Sequence, residues 1–180
     1  MRGKMRVPAM TGRVFRIVTQ IDFRIRPPRD NRIHHLTPAD LRLVLARLPP
    51  EVYARLEAVH FVDLGPRVRE LGCVQPGHRE IALCALPPAI NLNGFMFPGQ
   101  EPAMYGATWD AAWPALAIRR FLLYDVFLHE LGHMQIVQGK NGPARRRFAD
   151  EVQAHEFALS WRDRLWSDPL ESEDPVHRAP

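Results

Sequence analysis

The stretch that most constrains this chain is LLYDVFLHELGHMQIV, residues 122–137. Its flanks, FLLYDVFL before and MQIV after, make it a helix that enters a hydrophobic core. Its middle nevertheless carries Asp125, His129, Glu130 and His133. Unpaired polar groups are costly in such a place, so these four need partners. His129 and His133 are four apart, which on a helix sets them on one face with Cβ atoms about 5–6 Å apart. Two neutral imidazoles at that spacing can grip one metal ion, and zinc is the usual choice. Glu130 projects about 100° further round the helix. It lies beside such an ion instead of binding it, where it can hold an attacking water. This is the HExxH pattern. The plainer reading is a pair of core histidines satisfied by ordinary hydrogen bonds.

Two histidines do not complete a zinc site, because catalytic zinc takes three protein ligands and an open position. The completion HExxHxxGxxH fails here, since Ile136 and Gly139 stand where the glycine and third histidine belong. The other completion is a glutamate from a following helix. FADEVQAHEFALSW, residues 148–161, supplies that helix. At about 100° per residue, Phe148, Glu151, Val152, His155 and Leu159 share one arc, so a carboxylate and an imidazole sit inside an apolar stripe. The turn GKNGP lets the two helices pack antiparallel. Seventeen residues separate His133 from Glu151, enough for the chain to turn back to one ion. Glu151 and His155 are the two candidates for the third ligand, and an ion shared between the helices would explain both.

HELGH followed by EVQAHEFA resembles the gluzincin metallopeptidases, the thermolysin-like zinc enzymes. Their second motif is a glutamate ligand with an aspartate or asparagine four residues later, written ExxAD or ExxAN and followed by FA. Glu151 matches the ligand, Ala154 the alanine, and Phe157-Ala158 the trailing pair. His155 stands where the family has the acid that orients a metal-binding histidine. A neutral imidazole can accept one hydrogen bond, so that role is open to it, and the alternative is His155 as the third ligand with Glu151 behind it; Glu151 is the favoured ligand. The resemblance spans residues 129–158. It implies an α+β, zincin-like fold: a small mixed or antiparallel sheet packed on the HExxH helix and on a following glutamate-bearing helix. It also implies Zn2+ as cofactor and a peptide or protein as substrate.

The rest of the chain is read around this core. A length of 180 residues suits one domain. RVFRIVTQIDFRIR, residues 13–26, reads as one or two strands ended by Pro27-Pro28. Thr37-Pro38 is an N-cap with proline at the first helical position, and the helix runs through LRLVLARL to Pro49-Pro50. EVYARLEAV reads as a short second helix, VHFVDL as a buried strand, and residues 68–86 as a hairpin around QPGH. Residues 87–113 form a long irregular excursion with a strand expected near Met104 to Trp109, and loops of that length are often functional. A helix then runs from Pro114 to about Gln138, and another from Ala144 to Trp166. Residues 167–180 read as an extended tail.

Composition narrows the setting. No apolar run reaches the roughly 18 residues of a membrane span, and the basic N-terminus has no apolar signal core. Cys73 and Cys84 lie in apolar surroundings and read as reduced thiols. A cytoplasmic protein with no membrane partner is expected. The net charge of +4 is too mild to indicate nucleic acid, and Arg145-Arg146-Arg147 reads as a solvated junction at a helix start.

The function that follows is zinc-dependent peptide hydrolysis. Glu130 is the general base for an attacking water. Tyr105, Tyr124 and His177 are candidates to stabilise the oxyanion, and Asp125 is either an acceptor of a hydrogen bond beneath His129 or a solvated or capped acid. A non-catalytic zinc-binding protein, regulatory or structural and with or without nucleic acid, is the alternative. Glu130 counts against it, because a structural zinc has no need of that carboxylate.

Overall fold

The computed structural model describes residues 21–64, 70–75, 79–136, 144–168 and 174–180, without the side chains of Gln75 and residues 144–148. The expected strand segment 13–20, the turns QPGH and GKNGP and the side chains of Arg145, Arg146 and Arg147 therefore fall wholly or mainly outside the described residues.

The fold is α+β. Four strands, β1 (Asp22–Ile25), β2 (Ala58–Val62), β3 (Gly72–Gln75) and β4 (Glu80–Cys84), form one mixed sheet in the order β1-β2-β4-β3. β1, β2 and β4 run parallel, with Val59 opposite Phe23 and Ile81. β3 is an edge strand and runs antiparallel to β4, pairing Val74 with Ile81. The expected hairpin at 68–86 is β3–β4, and the expected strand at 59–64 is β2. Cys73 and Cys84 are unbridged.

Helix α1 (Pro38–Arg47) begins as the sequence suggests. The Asp40 N–H donates to the Thr37 hydroxyl at 3.3 Å, and the Thr37 N–H donates to the Asp40 carboxylate at 2.7 Å. This reciprocal pair satisfies two of the donors a helix start leaves open. Leu41, Val44 and Leu45 of α1 are buried with Val59, Phe61, Ile81 and Leu83 of the sheet.

The helix expected at residues 51–59 is not formed. A single 3-10 turn, Pro50–Val52, leads through Tyr53 into β2. Ala58 and Val59 are drawn into the ladder between β1 and β4, where a partner lies on each side, and this outweighs their local helical spacing.

Residues 87–113 hold two 3-10 turns, Asn93–Phe95 and Pro102–Tyr105, and the strand expected at 104–109 is absent. Gly106 has φ +87°, which breaks any extended run there. The Asn91 and Asn93 side-chain amides donate to the carbonyls of Trp109 and Ala111, which gives the excursion a fixed shape.

From Ala115 to Gln135 the chain is one continuous helical rod in three parts: α2 (Ala115–Phe121), a π-helical turn (Leu122–Phe127) and α3 (Leu128–Gln135). Helix α4 (Ala144–Ser167) packs on α3. No helix among the described residues is long and apolar enough to cross a membrane.

The far C-terminus departs from the extended tail expected of it. Pro175–His177 form a 3-10 turn with Val176 and His177 buried. Asp174 pairs with Arg119 at 2.7 Å, and Arg119 also pairs with Asp40 at 2.8 Å. One guanidinium thus ties the C-terminal segment and α1 to α2.

Candidate metal centre

Helix α3 carries His129, Glu130 and His133, and α4 carries Glu151. What brings the two helices together is small side chains. A Cβ built on Gly132, the glycine of HELGH, would lie 2.9 Å from the Ala154 Cα and 3.0 Å from its carbonyl oxygen. Ala154 and Ala158 are fully buried against this contact. Nothing larger fits at 132, so the approach of α4 to α3 depends on that glycine. At its far end α3 is held by Arg55, which donates to the Met134 carbonyl at 3.0 Å, and by Gln135, which donates to the Val52 carbonyl at 2.6 Å.

The result is a compact set of donors. His129 Nε2 lies 3.0 Å from His133 Nε2 and 3.2 Å from Glu151 Oε2, and His133 Nε2 lies 3.5 Å from the same oxygen. Donors set tetrahedrally at the roughly 2.0–2.1 Å of zinc–nitrogen and zinc–oxygen contacts stand about 3.3–3.4 Å apart. The three atoms are spaced much as one face of such a tetrahedron would be. Among the described residues these three form the one group of metal-ligating side chains close enough to share an ion. The Glu151 side chain is 52% exposed while both imidazoles are largely covered.

The electrostatics follow from this proximity. Hydrogen bonds from His129 and then His133 hold the Glu151 carboxyl far below the usual carboxylate range. For His133, burial pulls the imidazole pKa down, but the bond to Glu151 and the charges of Glu130 and Glu151 outweigh it and raise it. Glu130 is 7% exposed. Burial pushes its pKa up, against the pull of His129, His133 and a hydrogen bond from the Val74 N–H at 2.8 Å.

His155, one turn beyond Glu151, is not in the group. Its ring stacks on Phe97 at 4.0 Å with 13° between planes, and Phe97 also leans on His129 at 5.5 Å. Among the described residues, the Nδ1 atoms of His129, His133 and His155 are buried without a hydrogen-bond partner, so no bond joins His155 to the Nδ1 of either histidine.

Comparison with protein-family models, with curated proteins and with solved structures finds no match in any of the three. The reading of the site therefore rests on its own geometry.

Asp125 is neither a partner of His129 nor a solvated acid. It is 3% exposed and accepts short hydrogen bonds from Gln100 and Tyr105. Arg162 donates to the Tyr105 hydroxyl at 3.1 Å. The Phe97 N–H donates to the Gln100 side-chain oxygen at 2.9 Å, so this buried network fixes the loop that carries Phe97. Tyr105 is thereby committed elsewhere, and burial first, then Asp125, pushes its phenol pKa well up. Tyr124 and His177 bond each other at 2.9 Å, and burial pushes the Tyr124 phenol up to about 12. All three oxyanion candidates are sealed in the interior and engaged with partners of their own.

Sequence reading misses Phe97, Gln100 and Val74. The clue to the first two is the excursion at 87–113, whose length stands out but whose contacts no local pattern reveals. Val74 acts through its main chain, and its side-chain type carries no signal.

Proposed function

We propose that this chain is a zinc-dependent metallopeptidase of zincin-like design, in which His129, His133 and Glu151 hold the ion and Glu130 is the general base. The observation that carries the reading is the triangle of donors at tetrahedral spacing with a buried carboxylate on the adjacent residue. An α+β frame with an antiparallel edge strand beside the HExxH helix supports it. A cytoplasmic setting belongs to the same proposal and is supported by the two unbridged cysteines.

Zinc bound at such a site lowers the pKa of water toward about 7 and polarises a carbonyl. The chain's own residues supply the rest. Glu130 accepts the proton of the attacking water and delivers it to the leaving amine. Its burial and the hydrogen bond from the Val74 N–H hold the carboxylate in place for this work. β3 lies at the sheet edge alongside the helix that bears the base, and its outward-facing Val74 N–H is taken by Glu130. Phe97 and His155 form an aromatic wall beside His129.

The test is metal content of purified protein after chelator treatment and zinc add-back, followed by a peptide-library cleavage screen. Near-stoichiometric zinc and cleavage by wild type are expected. Glu130→Gln should keep the zinc and lose about 10²–10⁴-fold in rate. Cleavage by Glu130→Gln at the wild-type rate would remove the mechanism, and failure to bind zinc would remove the site.

A further inference from the structure

We infer that the main-chain N–H of Val74, on the free edge of β3, is the positioning group for the Glu130 carboxylate. The catalytic consequence rests on the peptidase reading, and the contact rests on geometry alone.

The register of the sheet decides which β3 groups are free. The Leu71 carbonyl accepts from the Cys84 N–H at 2.9 Å, and β3 pairs antiparallel with Gly72 opposite Leu83 and Val74 opposite Ile81. In an antiparallel pair, residues alternate between facing the partner strand and facing away. Leu71, Cys73 and Gln75 therefore turn their main-chain groups toward β4, and Gly72 and Val74 turn theirs outward. Among the described residues β3 is the edge strand and the Val74 N–H has no ladder partner, and Glu130 Oε2 takes it at 2.8 Å.

The helix comes close enough for this because residue 72 is glycine. A Cβ there would stand 2.9 Å from Val126 Cγ1 and 3.4 Å from Glu130 Cγ. A glutamate has three side-chain torsions, and its carboxylate must be held for general-base work. A donor built into a sheet is rigid in a way a side-chain donor is not. Holding one oxygen on Val74 leaves the other oxygen of the same carboxylate for the proton it has to carry.

Two measurements test this on the zinc-loaded full chain. The first is amide hydrogen exchange at Val74. Glu130→Ala should speed it at least tenfold, while Glu130→Gln, which keeps a carbonyl oxygen, should leave it protected. The Cys73 amide, which faces β4, should exchange alike in all three. Equal Val74 rates in wild type and Glu130→Ala would overturn the proposal, whether or not any peptide is cleaved. The second is Val74→Pro, which removes the donor at an edge position where proline costs no ladder bond. It should bind zinc at wild-type stoichiometry, keep KM within about twofold and lose roughly 10–100-fold in kcat, the size of effect expected from a misplaced reacting group. An unchanged kcat with zinc in place would overturn the proposal. If Val74→Pro does not fold, the exchange experiment decides. If the wild type cleaves nothing but the exchange pattern holds, the peptidase reading fails and the positioning contact stands.

Discussion

Glu151 and His155 lie one turn apart on α4, and both suit zinc chemically, yet only Glu151 meets the histidine pair. The difference is what each touches. Glu151 faces His129 and His133 at 3.2 and 3.5 Å, while the His155 ring is held flat against Phe97. Removing Glu151 takes a donor from the triangle, whereas removing His155 takes away a stacking partner. Glu151→Ala should therefore weaken zinc binding by well over 100-fold, and His155→Ala by no more than the roughly 10–100-fold typical of supporting groups. Competition with a fluorescent chelator measures both, and the reverse order would make His155 the ligand. Residue types alone make His129, Glu130, His133 and Glu151 legible, because imidazoles and carboxylates in apolar stripes demand an explanation. The sequence leaves the choice between Glu151 and His155 open, since it turns on Phe97, 54 residues before Glu151 and on another element.

At the scale of elements, the site is a product of how closely α3 and α4 approach. Gly132 and Ala154 form that contact, and any side chain at 132 drives into the α4 backbone. Gly132→Ala would raise intrinsic helix propensity by about 1 kcal/mol. The overlap should more than cancel this and leave the protein about 1–3 kcal/mol less stable, the usual range for overpacking. Zinc affinity should fall in parallel, because α4 carries Glu151 away as it shifts. Gly94→Ala is the control, as a Cβ there meets nothing within 4 Å. Denaturant unfolding and zinc competition on the two variants check the prediction, and equal behaviour would mean the helix contact is looser than its geometry. The elements themselves are unevenly legible. Capped and strongly periodic ones, such as α1 with Thr37-Pro38 and the rod from 115 to 135, are plain in the sequence. The π-helical turn within that rod is not, because its six residues are buried and apolar apart from Asp125 and read as ordinary helix. Residues 51–59 fail for a different reason, since strand pairing on both sides of β2 overrides their local pattern.

At the scale of the molecule, the C-terminal segment docks on α2 and the π-helical turn and is tied through Arg119 to α1. Val176 is fully buried, His177 bonds Tyr124, and Asp174 shares Arg119 with Asp40 of α1. Burying a valine side chain contributes about 1.5–3 kcal/mol. Truncation before Asp174 also strips the Tyr124 hydroxyl and Arg119 of a partner each. The truncated chain should therefore lose about 2–4 kcal/mol of stability near neutral pH and still bind zinc stoichiometrically. The gap between full-length and truncated chains should also depend on pH, and the sign follows from two groups. Burial lowers the His177 pKa below its ordinary 6.5, so the unfolded chain takes up a proton first. The stability carried by neutral His177 is thus complete above about 6.5 and declines as pH falls through that value. The Arg119 hydrogen bond lowers the Asp174 pKa below its ordinary 3.8, so its contribution persists above that value and is lost as pH falls through the folded one. Asp174 is partly exposed, and its share should be small and sensitive to salt. Unfolding curves for both chains at neutral, mildly acidic and strongly acidic pH should show the gap narrowing in two steps. A gap that stays constant below pH 6 would mean that the docked segment holds by apolar contact alone.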